Sequence, residues 1–311
     1  MAATTTTSAA ADLQTYFSKR LLDIAGRDVV LTDAAYKEDI PANSSKTISF
    51  TQYTRLTIPG SVLTEGTAPS DTQLSPTAIT ATIDQWGAFV TLTDLAELTV
   101  KHPLVQEATL LLGEQAAETI ETTVNTVLVA GTQVQYAGGV AARTALGGSN
   151  VMSTVELRKA VTTLRKAGAR QINSGDKYSS NDKNMGNYYI LYVDPSVAAD
   201  ILADADFKAA NQYNPEALKS GVVLGLWYNT MVVMSNVIPT VSSTVTVHTS
   251  YLVGRNAYAV TNLQNLKSYV EGPGGVADPL HQKRTIGWKV GFKSAILNNN
   301  FMIRIESASN Y

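Results

Sequence analysis

Between Pro103 and Gly131 apolar side chains return every third or fourth residue: Leu104, Ala108, Leu111, Leu112, Ala116, Ile120, Val124, Val127 and Leu128. That spacing draws one apolar stripe along a helix. Pro103 suits its first turn, where a missing N–H goes unused, and Gly131 suits its end. About 28 residues at ~1.5 Å rise predict a rod roughly 40 Å long, against an average helix of about 12 residues. Shorter helices are predicted where Leu13, Tyr16, Phe17, Leu21 and Ile24 precede Gly26, and where Ser153 to Glu156 reads as a capping box. The second of these carries Val155, Leu157, Val161, Leu164 and Ala167 and closes at Gly168; Asp194-Pro195-Ser196 opens another over Val197 to Ala205.

Elsewhere the period is two. Ile48, Phe50, Ile79, Ala81 and Ile83 alternate with Thr, Ser and Asp, which predicts half-buried strands between Lys46 and Thr93. The intervening Thr57 to Pro76 is broken by Pro59-Gly60, Glu65-Gly66 and Pro69, so a two-stranded loop projecting from the body is expected there. Tyr188 to Val193 reads as a buried strand. Val222 to Ile238, interrupted by Gly225, Asn229, Thr230, Ser235 and Asn236, reads as two strands and a turn, not a membrane span. Tyr251 to Val253, Ala257 to Val260, Trp288 to Leu297 and Phe301 to Glu306 supply further strands, the middle ones separated by a turn-rich stretch from Glu271 to Pro279. Gly131 to Asn150 is a Gly-rich connection and Asn173 to Asn187 an exposed polar loop. The segment between them and onward to Ile238 forms a mixed α/β unit, and no fixed-period repeat is present.

Composition narrows the function. With 311 residues, about two domains are expected. Zero cysteines exclude disulfides, thiolate metal sites and cysteine nucleophiles. A balance of 24 basic against 26 acidic residues argues against a dedicated nucleic-acid binder, which needs an excess of Lys and Arg. Only 16% of residues are charged, below the ~25% typical of soluble domains, and so weakly charged a Thr-rich surface suits contact with further copies of the chain. Fourteen tyrosines point the same way. The Ala/Thr/Ser-rich first dozen residues read as a flexible arm and carry neither the basic nor the apolar region of a secretory signal.

Candidate chemistry is sparse. His102, His248 and His281 are far apart and form no metal-binding pair, so they read as polar residues near turns. Glu114, Glu118 and Glu121 fall at i, i+4 and i+7 on the long helix. Without the Glu-x-x-His pair of di-iron bundles, they read as a solvated face or as the complement of a basic partner. Asp204 and Asp206 resemble the start of a calcium loop that fails at Lys208, and read as helix-end acids. Gly272-Pro-Gly274-Gly275 lacks the last glycine of a dinucleotide loop, Ala277 standing there. Lys283, Arg284, Lys289 and Lys293 beside Trp288 offer a nucleic-acid stacking patch, though alternation along a strand favours a subunit interface or solvated edge. No catalytic, cofactor-binding or metal-binding residue is assigned, and no cofactor is expected.

Two stretches carry a family resemblance. Gln85 to Asp94 (QWGAFVTLTD), running through Leu104 and Val105 into Leu112 to Ala116 (LGEQA), is similar to the core of tailed-bacteriophage major capsid proteins. Gly254 to Val260 (GRNAYAV), Asp278 to Lys289 (DPLHQKRTIGWK) and Ala295 to Asn298 resemble the closing strands of the same family. The resemblance implies an α+β Hong Kong 97-like capsid fold: an N-terminal arm over 1–39, an extended β-hairpin loop over 40–90, a peripheral domain over 91–149 with a spine helix over 103–130, an axial domain over 150–250, and peripheral return strands over 251–311. It further implies a non-enzymatic major capsid protein, a homo-oligomer of pentamers and hexamers in an icosahedral virion head assembled in the bacterial host cytoplasm. Its expected contacts are scaffolding, portal and cement proteins and packaged double-stranded DNA, with no membrane. Arm and loop are expected to lie across neighbouring subunits. Some members cross-link their shells through a Lys–Asn isopeptide bond; Lys46 sits near the loop base, but nothing in the sequence locates an acidic catalyst and an Asn partner, so that chemistry is not carried over. The alternatives are an encapsulin-like nanocompartment shell, a carbohydrate-binding or adhesion module and, last, an α/β enzyme.

Overall fold

The computed structural model describes residues 18–25, 29–41, 43–53, 56, 58, 60, 62, 65–66, 71–101, 103–172, 188–212, 223–271, 280 and 282–311. Its frame is the predicted rod, helix α3 (Leu104–Val129), 26 residues and about 39 Å long. Ala108, Leu112, Ala116, Val124 and Leu128 are buried along it as the stripe requires, but Leu111 is 60% exposed. A helix over 18–25, α1, packs on it through Leu21 and Ala25. Gly113 makes that approach possible, because a Cβ there would stand 3.2 Å from both Ile24 Cβ and the Leu21 carbonyl oxygen. The first twelve residues and the start of the predicted N-terminal helix, Leu13 to Phe17, lie outside the described residues.

Two sheets pack on this frame. In the four-stranded one, β1 (Tyr36–Lys37), β11 (Tyr258–Glu271), β12 (Lys283–Ile296) and β4 (Asp84–Thr93) stand in that order, with β4 at one edge. The seven-stranded sheet runs β5 (Val134–Tyr136), β13 (Met302–Ser307), β10 (Thr246–Val253), β6 (Tyr189–Val193), β8 (Thr230–Met234), β7 (Val223–Trp227), with β9 (Val241–Ser242) on β10. All of β6 is buried: Ile190 and Tyr192 join the α3 core, while Tyr189, Leu191 and Val193 face helices α4 (Thr154–Lys166) and α5 (Pro195–Ala203). A strand covered on both faces loses its alternation and reads as a continuous apolar run. The strands after 251 therefore divide: β11 and β12 lie on α3, whereas β13 joins the seven-stranded sheet. Helix α6 (Ala205–Gln212) follows α5 directly.

The predicted hairpin is present at its base. β2 (Thr47–Tyr53) and β3 (Pro76–Thr82) pair antiparallel from Thr47↔Thr82 to Tyr53↔Pro76 and form a two-stranded sheet of their own. The central turn of 222–238 is Tyr228-Asn229, both with positive φ, 47° and 60°, the geometry of a tight two-residue hairpin turn.

Local chemistry departs from expectation in two places. Ser153 stands at the start of α4 but its side chain makes no capping bond. Asp204 supplies the acceptor instead, taking the Thr154 N–H at 3.1 Å and its hydroxyl at 3.2 Å, while Asp206 pairs with Arg158 at 3.2 Å. The two acids thus tie α6 to the start of α4. Val155, counted in the apolar stripe, is 52% exposed. Helix α3 itself begins one residue after Pro103.

Candidate assembly surface

Among the described residues the hairpin is anchored at its root. Phe50 and Ala81 bury against Ala259 of β11, with the Tyr36 ring edge-on to Phe50 at 6.2 Å. Beyond the root, among the described residues, Tyr53 is 60% exposed, Ile58 76% and Val62 92%. Further exposed apolar side chains stand near the free edge of the four-stranded sheet, Trp86 and Phe89 on opposite faces of β4 and Leu95 and Leu98 on α2 (Asp94–Thr99), and Leu111 is exposed on α3. Isolated exposed hydrophobes need no explanation, but contiguous ones mark contact surfaces. An edge strand of ten residues also leaves a row of backbone groups open to another chain.

Ion pairs stiffen this edge. Lys293 reaches Asp84 at 2.7 Å and, with Lys46 adding a smaller push, holds its carboxyl below the usual range; Arg284 meets Glu97 at 3.5 Å. Trp288 is buried, its indole N–H donating to Gln115 Oε1 at 3.3 Å. The ring beside the basic cluster is therefore withdrawn from the surface, and Lys293 and Arg284 are each taken up by a carboxylate. Lys46 stands immediately before β2, at the hairpin base.

Glu121 is the main departure from the sequence reading. It is buried, not on the solvated face that Glu114 and Glu118 occupy. Its Oε1 accepts the backbone N–H groups of Val30 and Leu31, the latter at 2.6 Å, and its Oε2 accepts the Ser235 hydroxyl at 3.1 Å. Tyr192 donates to the Val30 carbonyl at 3.3 Å, and Tyr258 donates to that of Leu31. Leu31, Ala34 and Ala35 are fully buried. Residues 18–25 and 29–35 are thus fastened to their own subunit, contrary to the expectation that the whole 1–39 segment lies across neighbours.

Burial pushes the Glu121 carboxyl up, partly offset by the Leu31 and Val30 N–H groups and Ser235, and the nearby Asp33 raises it further. Asp33 is itself raised by burial. A carboxyl raised on folding takes up protons more readily in the native state, so the stability it contributes is present at low pH and lost as pH rises through its folded value. Glu121→Gln keeps an acceptor for both N–H groups without a buried charge. Wild type is expected to gain melting temperature relative to Glu121→Gln as pH falls from 7 toward the ordinary glutamate range; parallel curves would show the carboxyl to be unperturbed.

His248 lies within β10, shortly after the turn that joins β9 to β10, and its Nδ1 is 2.7 Å from Asp194 Oδ2, both side chains buried. Asp194 Oδ1 also accepts the Val197 N–H at the start of α5. His102, His281 and the 272–279 glycines lie outside the described residues, as does the 173–187 loop. Among the described residues no group of three His, Asp or Glu is placed to hold a metal, and no helix is long and apolar enough to cross a membrane.

A family model for phage capsid proteins matches residues 76–298, from β3 to the end of the long strand pair. The chain belongs to the phage capsid protein family. This capsid protein has the expected Hong Kong 97-like α+β fold. The capsid of Ralstonia phage GP4 matches with TM-score 0.68 at 14% identity, over 90% of this chain and 88% of that one. The head structure of Helicobacter pylori bacteriophage KHP40 matches with TM-score 0.65 at 15% identity, over 90% and 88%. A virus-like particle from Pyrococcus furiosus matches with TM-score 0.54 at 10% identity, over 94% and 99%. No curated protein sequence matches the chain. These exposed side chains therefore belong to a virion shell subunit that assembles with copies of itself.

Proposed function

We propose that this capsid protein forms pentamers and hexamers that close into an icosahedral head around double-stranded DNA, with a purely structural role. The observation that carries the proposal is the hairpin: its root is packed and its outer half carries Tyr53, Ile58 and Val62 exposed. A second copy offers exposed apolar side chains of its own in Trp86, Phe89, Leu95, Leu98 and Leu111. Many modest contacts repeated by symmetry make a shell strong although each is weak. In this reading 1–39 is the arm, 40–90 the extended loop, 91–149 and 251–311 the peripheral domain on the spine helix 103–130, and 150–250 the axial domain. Within that arm, residues 18–25 and 29–35 are packed on their own subunit.

Assembly takes place in the host cytoplasm, with scaffolding, portal and cement proteins as partners and non-specific contact with DNA. A nanocompartment shell is the second reading, favoured by the shared fold of the Pyrococcus particle. Sedimentation velocity and electron microscopy of the full chain, produced with its neighbouring head proteins, test both. Closed shells holding genome-length DNA are expected. DNA-free shells around a protein cargo would select the nanocompartment, and a persistent monomer would overturn both.

A further inference from the structure

Residues 29–35 are held to the body through their backbone. Glu121 Oε1 accepts the Val30 and Leu31 N–H groups, Tyr192 accepts the Ala34 N–H at 3.2 Å and donates to the Val30 carbonyl at 3.3 Å, and Tyr258 donates to the Leu31 carbonyl. Side chains from α3, β6 and β11 thus fix both N–H and C=O groups of one short segment. Apolar burial adds one leucine, Leu31, and two alanines, Ala34 and Ala35, with Val29 and Val30 partly covered. How firmly the segment sits is therefore sensitive to its polar anchors.

The anchor at Glu121 is buried beside no cation. Among the described residues its partners are two backbone N–H groups and the Ser235 hydroxyl, which follows β8. The charged group that acts on it is Asp33, a like charge on the outer side of the segment, half exposed and 3.8 Å from Lys37. Glu114 and Glu118 of the same helix stand on its exposed face. The other titratable groups around the segment are the hydroxyls of Tyr192 and Tyr258, which burial keeps protonated. A neutral carboxyl keeps every bond of this site: Oε1 still accepts both N–H groups, and a proton on Oε2 is donated to the Ser235 oxygen 3.1 Å away. Ionisation also keeps the bonds, but it leaves a charge where water does not reach.

We propose that Glu121 is a proton-operated latch on residues 29–35, shut while its carboxyl is neutral and released once it ionises, with α3 and the two sheets remaining folded. When the segment lifts, the carboxylate meets water, so the open form favours the charged state and the closed form the neutral one. Closing therefore takes up a proton. The latch is tight below the ordinary glutamate range and opens as pH rises through the higher closed-state value. The opening is local, because the contacts of Leu112, Ala116 and Val124 with the sheets do not pass through the segment. It stands independently of the shell reading.

Amide hydrogen exchange of the soluble full chain, followed from about pH 4 to about pH 8 and corrected for the intrinsic rate, reads the latch directly. Protection at Val30 and Leu31 is expected to fall about fivefold or more as pH rises, while the amides of β6 stay constant. Glu121→Gln, which keeps an acceptor for both N–H groups without a charge, should hold that protection level at every pH. Asp33→Asn removes the like charge at a half-exposed position and should make the transition smaller and end it at lower pH. Protection that changes equally in the segment and in β6, or a transition retained in Glu121→Gln, overturns the proposal. Should Glu121→Gln fail to fold, a transition that Asp33→Asn leaves unmoved overturns it as well.

Discussion

Leu112→Asp is expected to leave no folded subunit, while Leu111→Asp, one residue away, folds like wild type and fails in assembly. Leu112 is 3% exposed and packs among Ala108, Ala116 and Val124 under α1 and the four-stranded sheet. A carboxylate there has no partner, and an unpaired buried charge removes more than about 4 kcal/mol, close to the whole stability of a typical domain at about 5–15 kcal/mol. Leu111 is 60% exposed, and substitution at such a position changes stability by about 0.5 kcal/mol or less. Its effect falls on an exposed apolar side chain that a second copy would cover. Ile120 is only partly buried, so Ile120→Asp should destabilise less than Leu112→Asp. Far-UV circular dichroism and shell yield read the two properties separately. A soluble, cooperatively melting Leu112→Asp would mean that the helix face is misassigned, and normal shells from Leu111→Asp would remove that residue from the interface.

The same helix shows what the sequence made legible. A stripe at helical spacing specifies which side of α3 is buried, because burial of most of its residues is decided by a face rather than by a particular partner. Leu111 and Glu121 are the exceptions, one apolar and exposed, the other charged and buried. Glu121 was hidden because its partners are backbone N–H groups 90 and 91 positions away, and backbone donors leave no trace in side-chain identity. The hairpin was legible from alternation on both sides of a Pro- and Gly-rich stretch. Strands β11 and β12, by contrast, run 14 residues each, well beyond the expected 257–260 and 288–297. Two register shifts, at Asn262/Gln264 and Gln264/Lys267, interrupt the pairing of β11 and with it the period-two pattern. Family resemblance named the architecture correctly but not how residues 29–35 are held, which rests on a carboxylate and two tyrosines.

Removing 57–76 and joining its ends through Asn-Gly is expected to leave the subunit's melting temperature nearly unchanged and to abolish stable shells. Stability should survive because, among the described residues, the hairpin's contribution to its own subunit ends at Phe50, Ala81 and their contacts with Tyr36 and Ala259. Shortening the connection also costs little, since loop closure changes by only about 0.6 kcal/mol for each doubling of length. Assembly should fail because the deleted stretch contains Ile58 and Val62, both exposed. Burying such side chains contributes roughly 1.5–3 kcal/mol each, and a closed shell repeats that contribution at every subunit. A loss tolerable in one dimer thus becomes prohibitive around a whole particle, so the expected products are folded monomers or isolated capsomers. Replacing Ile58 and Val62 together with Ser tests the same argument without altering chain length, and should lower shell yield in the same direction. Shells of normal stability from both variants would place the assembly contacts elsewhere and leave the edge of β4 as the principal candidate.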